Sequence, residues 1–217
     1  MIVRGLVCAA VLVTLSSIGV AVGAGFPLVA EDVTIVRIPG AVPFKSCTVA
    51  PVADAFVDEA LPDTAFGAEP YVEVAAGPSR RRALVRFDLD SCGVSAGAQV
   101  RTARLRMLLT AAPTESRTWR VRRVTSAWTE GAATWNAAPD VAASVTDAVE
   151  TGVVLGDVLE WDVRGDVAQI VSGAVTDRGW RIADPDETAP VTVSGALASR
   201  EAVDPAQRPS LTLTWFD

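Results

Sequence analysis

Chemistry in this chain must be done by guanidinium and carboxylate groups, because its 217 residues include 19 lysines and arginines and 26 aspartates and glutamates but no histidine. That absence removes every Ser-His-Asp or Cys-His relay, every His-ligated zinc site and any imidazole pH switch. The basic residues are unevenly placed. Residues 80–123 hold 11 arginines against three acids, Asp88, Asp90 and Glu115, a local charge of +8, whereas residues 25–79 carry -6 and residues 124–217 carry -10. Within the basic segment, Arg82 and Arg86, Arg104 and Arg106, and Arg120 and Arg122 alternate with apolar neighbours. If their strands share a sheet, its outer face is a ladder of guanidinium groups. Such a face suits the carboxylates or sulfates of an acidic polysaccharide, through bidentate, charge-assisted pairs. The competing arrangement has acids of neighbouring strands neutralising the ladder on a solvated face.

Aromatic and acidic residues supply the other candidates. Of the six tryptophans, Trp119, Trp161 and Trp215 are in phase with apolar neighbours and belong in a core. Trp128 and Trp135 fall in a turn-rich stretch with Thr129, Glu130, Thr134 and Asn136, whose side chains either meet a ligand or tie the loop down by local hydrogen bonds. Trp180 is open to either assignment. The sequence requires no cofactor, and the metal it suits is calcium, since hard oxygen ligands are the abundant ones. Asp54, Asp58, Glu59 and Asp63 form one acidic cluster, and Asp184, Asp186 and Glu187 another, neither with EF-hand spacing. Catalysis would have to rest on carboxylates, for instance a glycosidase pair drawn from Asp88, Glu130, Asp162 and Glu201, so a non-catalytic protein is expected.

The elements that must position these residues are short. Met1 to Arg4 carries a positive charge, Gly5 to Ala30 is uncharged, and Val22-Gly23-Ala24 has the small-residue pattern of a signal-peptidase site. Residues 1–24 are therefore expected to be a signal peptide; kept uncleaved, the uncharged run is long enough to anchor the chain in a bilayer. Either outcome puts the protein outside the cell or on its surface. Without the signal, 18 basic and 26 acidic residues leave a net charge of -8, which argues against a general nucleic-acid binder. Loss of Cys8 also leaves the even pair Cys47 and Cys92, expected to form a disulfide in an oxidising compartment.

Residues 25–46 read as a linker or short extra strand around Val33-Thr34-Ile35-Val36, and residues 47–217 as one domain. A period of two runs through Arg82 to Leu89, through Ala103, Leu105, Met107 and Leu109, through Trp119 and Val121, through Leu159, Trp161 and Val163, and through Leu211, Leu213 and Trp215. Only Arg164 to Gly173 has a helical period. Short strands separated by turns, with one or two short helices, predict an all-β antiparallel jelly-roll β-sandwich.

Four stretches carry a resemblance. They are Ala53-Asp54-Ala55-Phe56-Val57 with Pro62-Asp63-Thr64-Ala65-Phe66-Gly67; Ala83-Leu84-Val85-Arg86-Phe87-Asp88-Leu89 with Val100-Arg101-Thr102-Ala103-Arg104-Leu105; Trp128-Thr129-Glu130-Gly131-Ala132-Ala133-Thr134-Trp135-Asn136-Ala137-Ala138-Pro139; and Ser199-Arg200-Glu201 with Arg208-Pro209-Ser210-Leu211-Thr212-Leu213-Thr214-Trp215. Together, from about Val52 to Phe216, they resemble the DNRLRE or disaggregatase-related domain, grouped with carbohydrate-binding module family 96. Phe66 stands where that family usually has a tyrosine. The resemblance implies a secreted jelly-roll sandwich without catalytic machinery, some of whose relatives bind alginate-like glycans. The expected partner is thus an extracellular polysaccharide, and the alternative is a structural or protein-binding role in the cell envelope.

Overall fold

The computed structural model describes residues 44–186 and 188–217. The expected signal peptide, the Val33 to Val36 run and Glu187 of the second acidic cluster lie outside those residues. In chain order the strands are β1 (Lys45–Val49), β2 (Pro51–Asp58), β3 (Tyr71–Ala76), β4 (Arg81–Phe87), β5 (Gln99–Ala111), β6 (Thr118–Arg123), β7 (Asp147–Glu150), β8 (Val158–Asp162), β9 (Trp180–Ala183), β10 (Val193–Ala198) and β11 (Ser210–Phe216). One helix, α1 (Arg164–Val171), follows β8; it starts where the helical period predicts, and Gly173, at φ +74°, turns the chain away from it.

Every strand pairing is antiparallel. One sheet orders β1, β11, β5 and β8; the other groups β2, β4, β9, β6 and β7 around β4 and reaches back through β3 and β10. The 13-residue β5 is long enough to serve both: its middle pairs with β8 and β11, and its end pairs with β10 at Ala196↔Ala111. The sheet therefore curls over itself into an all-β sandwich, as the alternation predicts.

The core lies between the two layers. Ala83, Val85 and Phe87 of β4 face Leu105, Met107 and Leu109 of β5, and Trp119, Trp161 and Trp215 are buried among them as their phase requires. Trp180, undecided from sequence, is fully buried as well, and its indole N–H donates to Asp166 Oδ2 at 2.9 Å. A burial the alternation does not reveal lies on the other side of β4. There Leu84 packs with Ala55 and Val57 of β2 against Val124, Trp128 and Ala133, so the connection from β6 to β7 roofs the outer face of these two strands. β4 is consequently covered on both faces, and its outward arginines lie at the rim of a second small core.

Cys47 and Cys92 are bonded, with Cα atoms 5.8 Å apart. The bond fastens β1, whose described partner is β11 alone, to the turn Asp90–Cys92 that follows β4. Closing a separation of 45 residues restricts the unfolded chain, a contribution of about 4 kcal/mol in the chain-entropy account. Replacing both cysteines by alanine is expected to lower the unfolding free energy by up to that amount, read from urea unfolding. A loss below about 1 kcal/mol would show that β1 holds its place without the bond.

Candidate functional site

The six arginines do not form one ladder. Arg104 and Arg106 sit on β5, opposite Asp162 and Glu160 of β8, in a different layer from β4 and β6. Arg104 is paired there with Asp162 at 3.0 Å and Glu160 at 3.7 Å, the cross-strand neutralisation that competes with ligand binding. The expectation of a single face is corrected because β5 takes β8 and β11 as its neighbours at this level, which periodicity along one strand cannot specify.

The loop candidates fall on the tethering side of their two readings. Trp128 is buried, and its indole N–H donates to the Arg178 carbonyl at 2.8 Å. Asn136 donates from its side chain to Asp63 Oδ1 at 2.9 Å and from its backbone to the Pro62 carbonyl at 3.0 Å. Trp135 is half-buried, with the Arg82 guanidinium 4.4 Å and the Arg80 guanidinium 5.2 Å from its ring centre; Arg86 lies 5.6 Å from the ring of Trp128. Guanidinium groups thus compete for the aromatic faces that a sugar would stack on.

The proposed calcium ligands Asp54, Asp58 and Asp63 are also not assembled. Asp58 accepts from Arg81 Nε at 2.8 Å and from the Ala60 N–H at 2.9 Å, and Asp63 is engaged by Asn136. Asp54 points into a different cluster. Its carboxylate lies with those of Glu130 and Glu201, one oxygen of each falling within 4.8 Å of the others, a group that could hold a cation. Here the cation is Arg200: its Nε reaches Glu201 at 2.6 Å and Glu130 at 3.1 Å, and its backbone N–H donates to Asp54 Oδ2 at 2.7 Å. The Asp54 N–H in turn donates to Glu130 at 2.9 Å.

What converges on the outer face of the second sheet is a cleft over β4, β9 and β6. In the register, Arg181 of β9 stands between Leu84 and Arg122, and Ala183 stands opposite Arg120. Adjacent strands lie about 4.8 Å apart, so the guanidinium groups of neighbouring rows come close together. The cleft has a volume of about 170 Å³ and is lined by Arg82, Arg120, Arg122, Arg181, Ala183, Asp184 and Pro185. Its one described acid is spoken for, since Asp184 is buried and takes a two-pronged contact from Arg117, at 2.8 Å from Nε and 3.1 Å from the second terminal nitrogen. Arg82 and Arg181 have further contacts within the fold. Arg181 escaped the sequence reading because it lies beyond the basic segment, although Trp180 and Ile182 on either side mark it as outward-facing.

Carbohydrate-binding module family 96 matches residues 45–215. The chain belongs to this family. No curated protein matches it. The stretches that resemble family 96 in sequence meet at the carboxylate cluster rather than at the cleft: one brings Asp54, one Glu130, one Arg200 and Glu201. Gly67, from the turn after Asp63, belongs there too, because a Cβ at this position would lie 2.4 Å from Glu130 Cγ and 2.5 Å from its carbonyl oxygen. In this family 96 module the recognisable motif is therefore a lock that holds the 124–141 connection onto β2.

The lock is short of positive charge, with three carboxylates around one guanidinium. Burial pushes the Asp54 carboxyl up from 3.8 to about 7, aided by the negative charges of Glu201 and Glu130 and opposed by the Arg200 N–H. A raised carboxyl favours folding fully below its unfolded value of 3.8, and this contribution is lost as pH rises towards 7. Asp54→Asn keeps an acceptor for Arg200 and adds an N–H for Glu201. The variant should gain on the parent by at most about 4 kcal/mol between those pH values. Arg80 holds Glu59 below its ordinary value, giving an opposite slope that both proteins share. Urea unfolding at a series of pH values would count against this account if the two stability curves ran parallel.

Proposed function

We propose that this carbohydrate-binding module is exported, is non-catalytic, and holds an acidic extracellular polysaccharide at the cleft over β4, β9 and β6. The observation that carries the reading is the convergence of Arg82, Arg181, Arg120 and Arg122 on one recess in a chain whose overall charge is negative. Each guanidinium presents a planar fork that fits a carboxylate or sulfate with two hydrogen bonds. The non-catalytic reading is supported by Glu130 and Glu201, whose carboxylates are both engaged by the Arg200 guanidinium beside buried Asp54.

Affinity electrophoresis of residues 25–217 through gels containing alginate, pectin, a sulfated glycan or neutral β-glucan tests the proposal. Retardation is expected with the acidic glycans alone. Arg120→Glu combined with Arg122→Glu should weaken it at least tenfold, whereas Arg104→Glu combined with Arg106→Glu, on the other layer, should leave it nearly unchanged. Equal loss in both pairs would mean that net charge, not the cleft, governs retention. A second reading, a protein-binding role in the envelope, is favoured by the exposed apolar tip Val153-Val154-Leu155 between β7 and β8. It gains if no glycan retards the protein.

A further inference from the structure

The size and surroundings of the cleft restrict which part of an acidic glycan it can take. At about 170 Å³ it falls below the roughly 300–1,000 Å³ of pockets that enclose drug-sized ligands. Its floor includes Ala183, the smallest outward residue of β9, with arginines on the strands to either side. At one side the Trp135 ring lies over Arg82, part of the connection that roofs β2 and β4. Asp184 and Pro185 close another.

Beyond β6 and past Pro185 the surface turns acidic. On β7, the strand beyond β6, Glu150 is exposed on the same face as Arg120 and accepts hydrogen bonds from Thr118 and Ser116. Exposed Asp186 lies 3.4 Å from Arg117 past the Pro185 wall, and Glu59 is engaged by Arg80 beside Trp135. A polyuronate laid across the cleft would seat one carboxylate among the guanidinium groups and bring its neighbours towards these acids. Like charges on that path would offset what a further unit gains, so added length brings no advantage.

We infer that the cleft engages one acidic sugar unit at a time, whether that unit is a chain end, a branch or one residue of a longer chain, and gains no contacts from a run of uronates. This rests on the acidic-glycan reading of the cleft and narrows it. The ligand is then recognised as an isolated charge, so adding further charged units brings no further contacts.

The full mature chain, titrated by calorimetry or by amide chemical shifts, tests the inference. The probes are methyl galacturonoside, its linear oligomers of two, three and four units, and a neutral oligosaccharide bearing one terminal uronate. With concentrations counted as chains, affinity should stay within about twofold along the series, and the neutral carrier should match it. Ala183→Leu, which fills the floor but keeps every guanidinium, should lose binding at least tenfold while its far-ultraviolet spectrum stays that of the parent. Affinity rising tenfold or more from one unit to four would overturn the single-unit inference and leave the acidic-glycan reading intact. Unchanged binding in Ala183→Leu would likewise overturn it. Absence of binding by every acidic probe would overturn both.

Discussion

Arg200, whose guanidinium is held by Glu130 and Glu201 and whose backbone N–H donates to Asp54, makes the contact on which the placement of the 124–141 connection depends. Three segments far apart in sequence meet there, and each would leave a buried or half-buried charge unmatched if the others withdrew. With Glu130 held against β2, the 124–141 connection lies over the outer face of β2 and β4. Trp128 and Ala133 then reach Leu84, and Trp135 reaches Arg82. One edge of the arginine cleft is thus set by a contact that contains none of its lining residues.

Several of the arginines are held in ion pairs. Arg81 bridges Asp58 and Glu73, Arg117 serves Asp184, and Arg104 answers Asp162 and Glu160. Of these only the Arg104 pairs are exposed on both sides, and such pairs contribute little to stability, on the order of 0–1 kcal/mol each. Their larger consequence is electrostatic: acids answer Arg104 on β5, Arg81 at the start of β4 and Arg117 just before β6. Arg181 of β9, between Arg122 and Leu84, joins the other cleft arginines. Three of the four stretches that resemble the family meet in the carboxylate lock, whereas ligand recognition, on our proposal, resides in the cleft.

Much of this architecture was legible from local pattern. Alternation at Ala83, Val85 and Phe87, at Leu105, Met107 and Leu109 and at Leu211, Leu213 and Trp215 marks strands and their buried sides, because successive side chains of a strand point to opposite faces whatever its neighbours are. The helical spacing of Val163, Val167 and Ile170 marks α1 for the same reason, and the even pair Cys47 and Cys92 marks the disulfide. Leu84 shows where this logic stops. It interrupts the outward phase of Arg82 and Arg86, and its burial comes from a connection some forty residues later in the chain.

Residue type at fixed short spacing carries the fold class and the core-facing side of the strands, because side chains alternate across a strand whatever its neighbours are. Motifs spread along residues 45–215 carry the membership of carbohydrate-binding module family 96. Long-range packing sets which outward arginines share a face, that Arg181 joins them, that Arg82 and Arg80 lie against the Trp135 ring, and that Asp54 meets Glu130 and Glu201 while Asp58 and Asp63 go elsewhere. Strand order and register govern these outcomes, and both are settled by packing between segments that a period of two leaves free to pair in many ways.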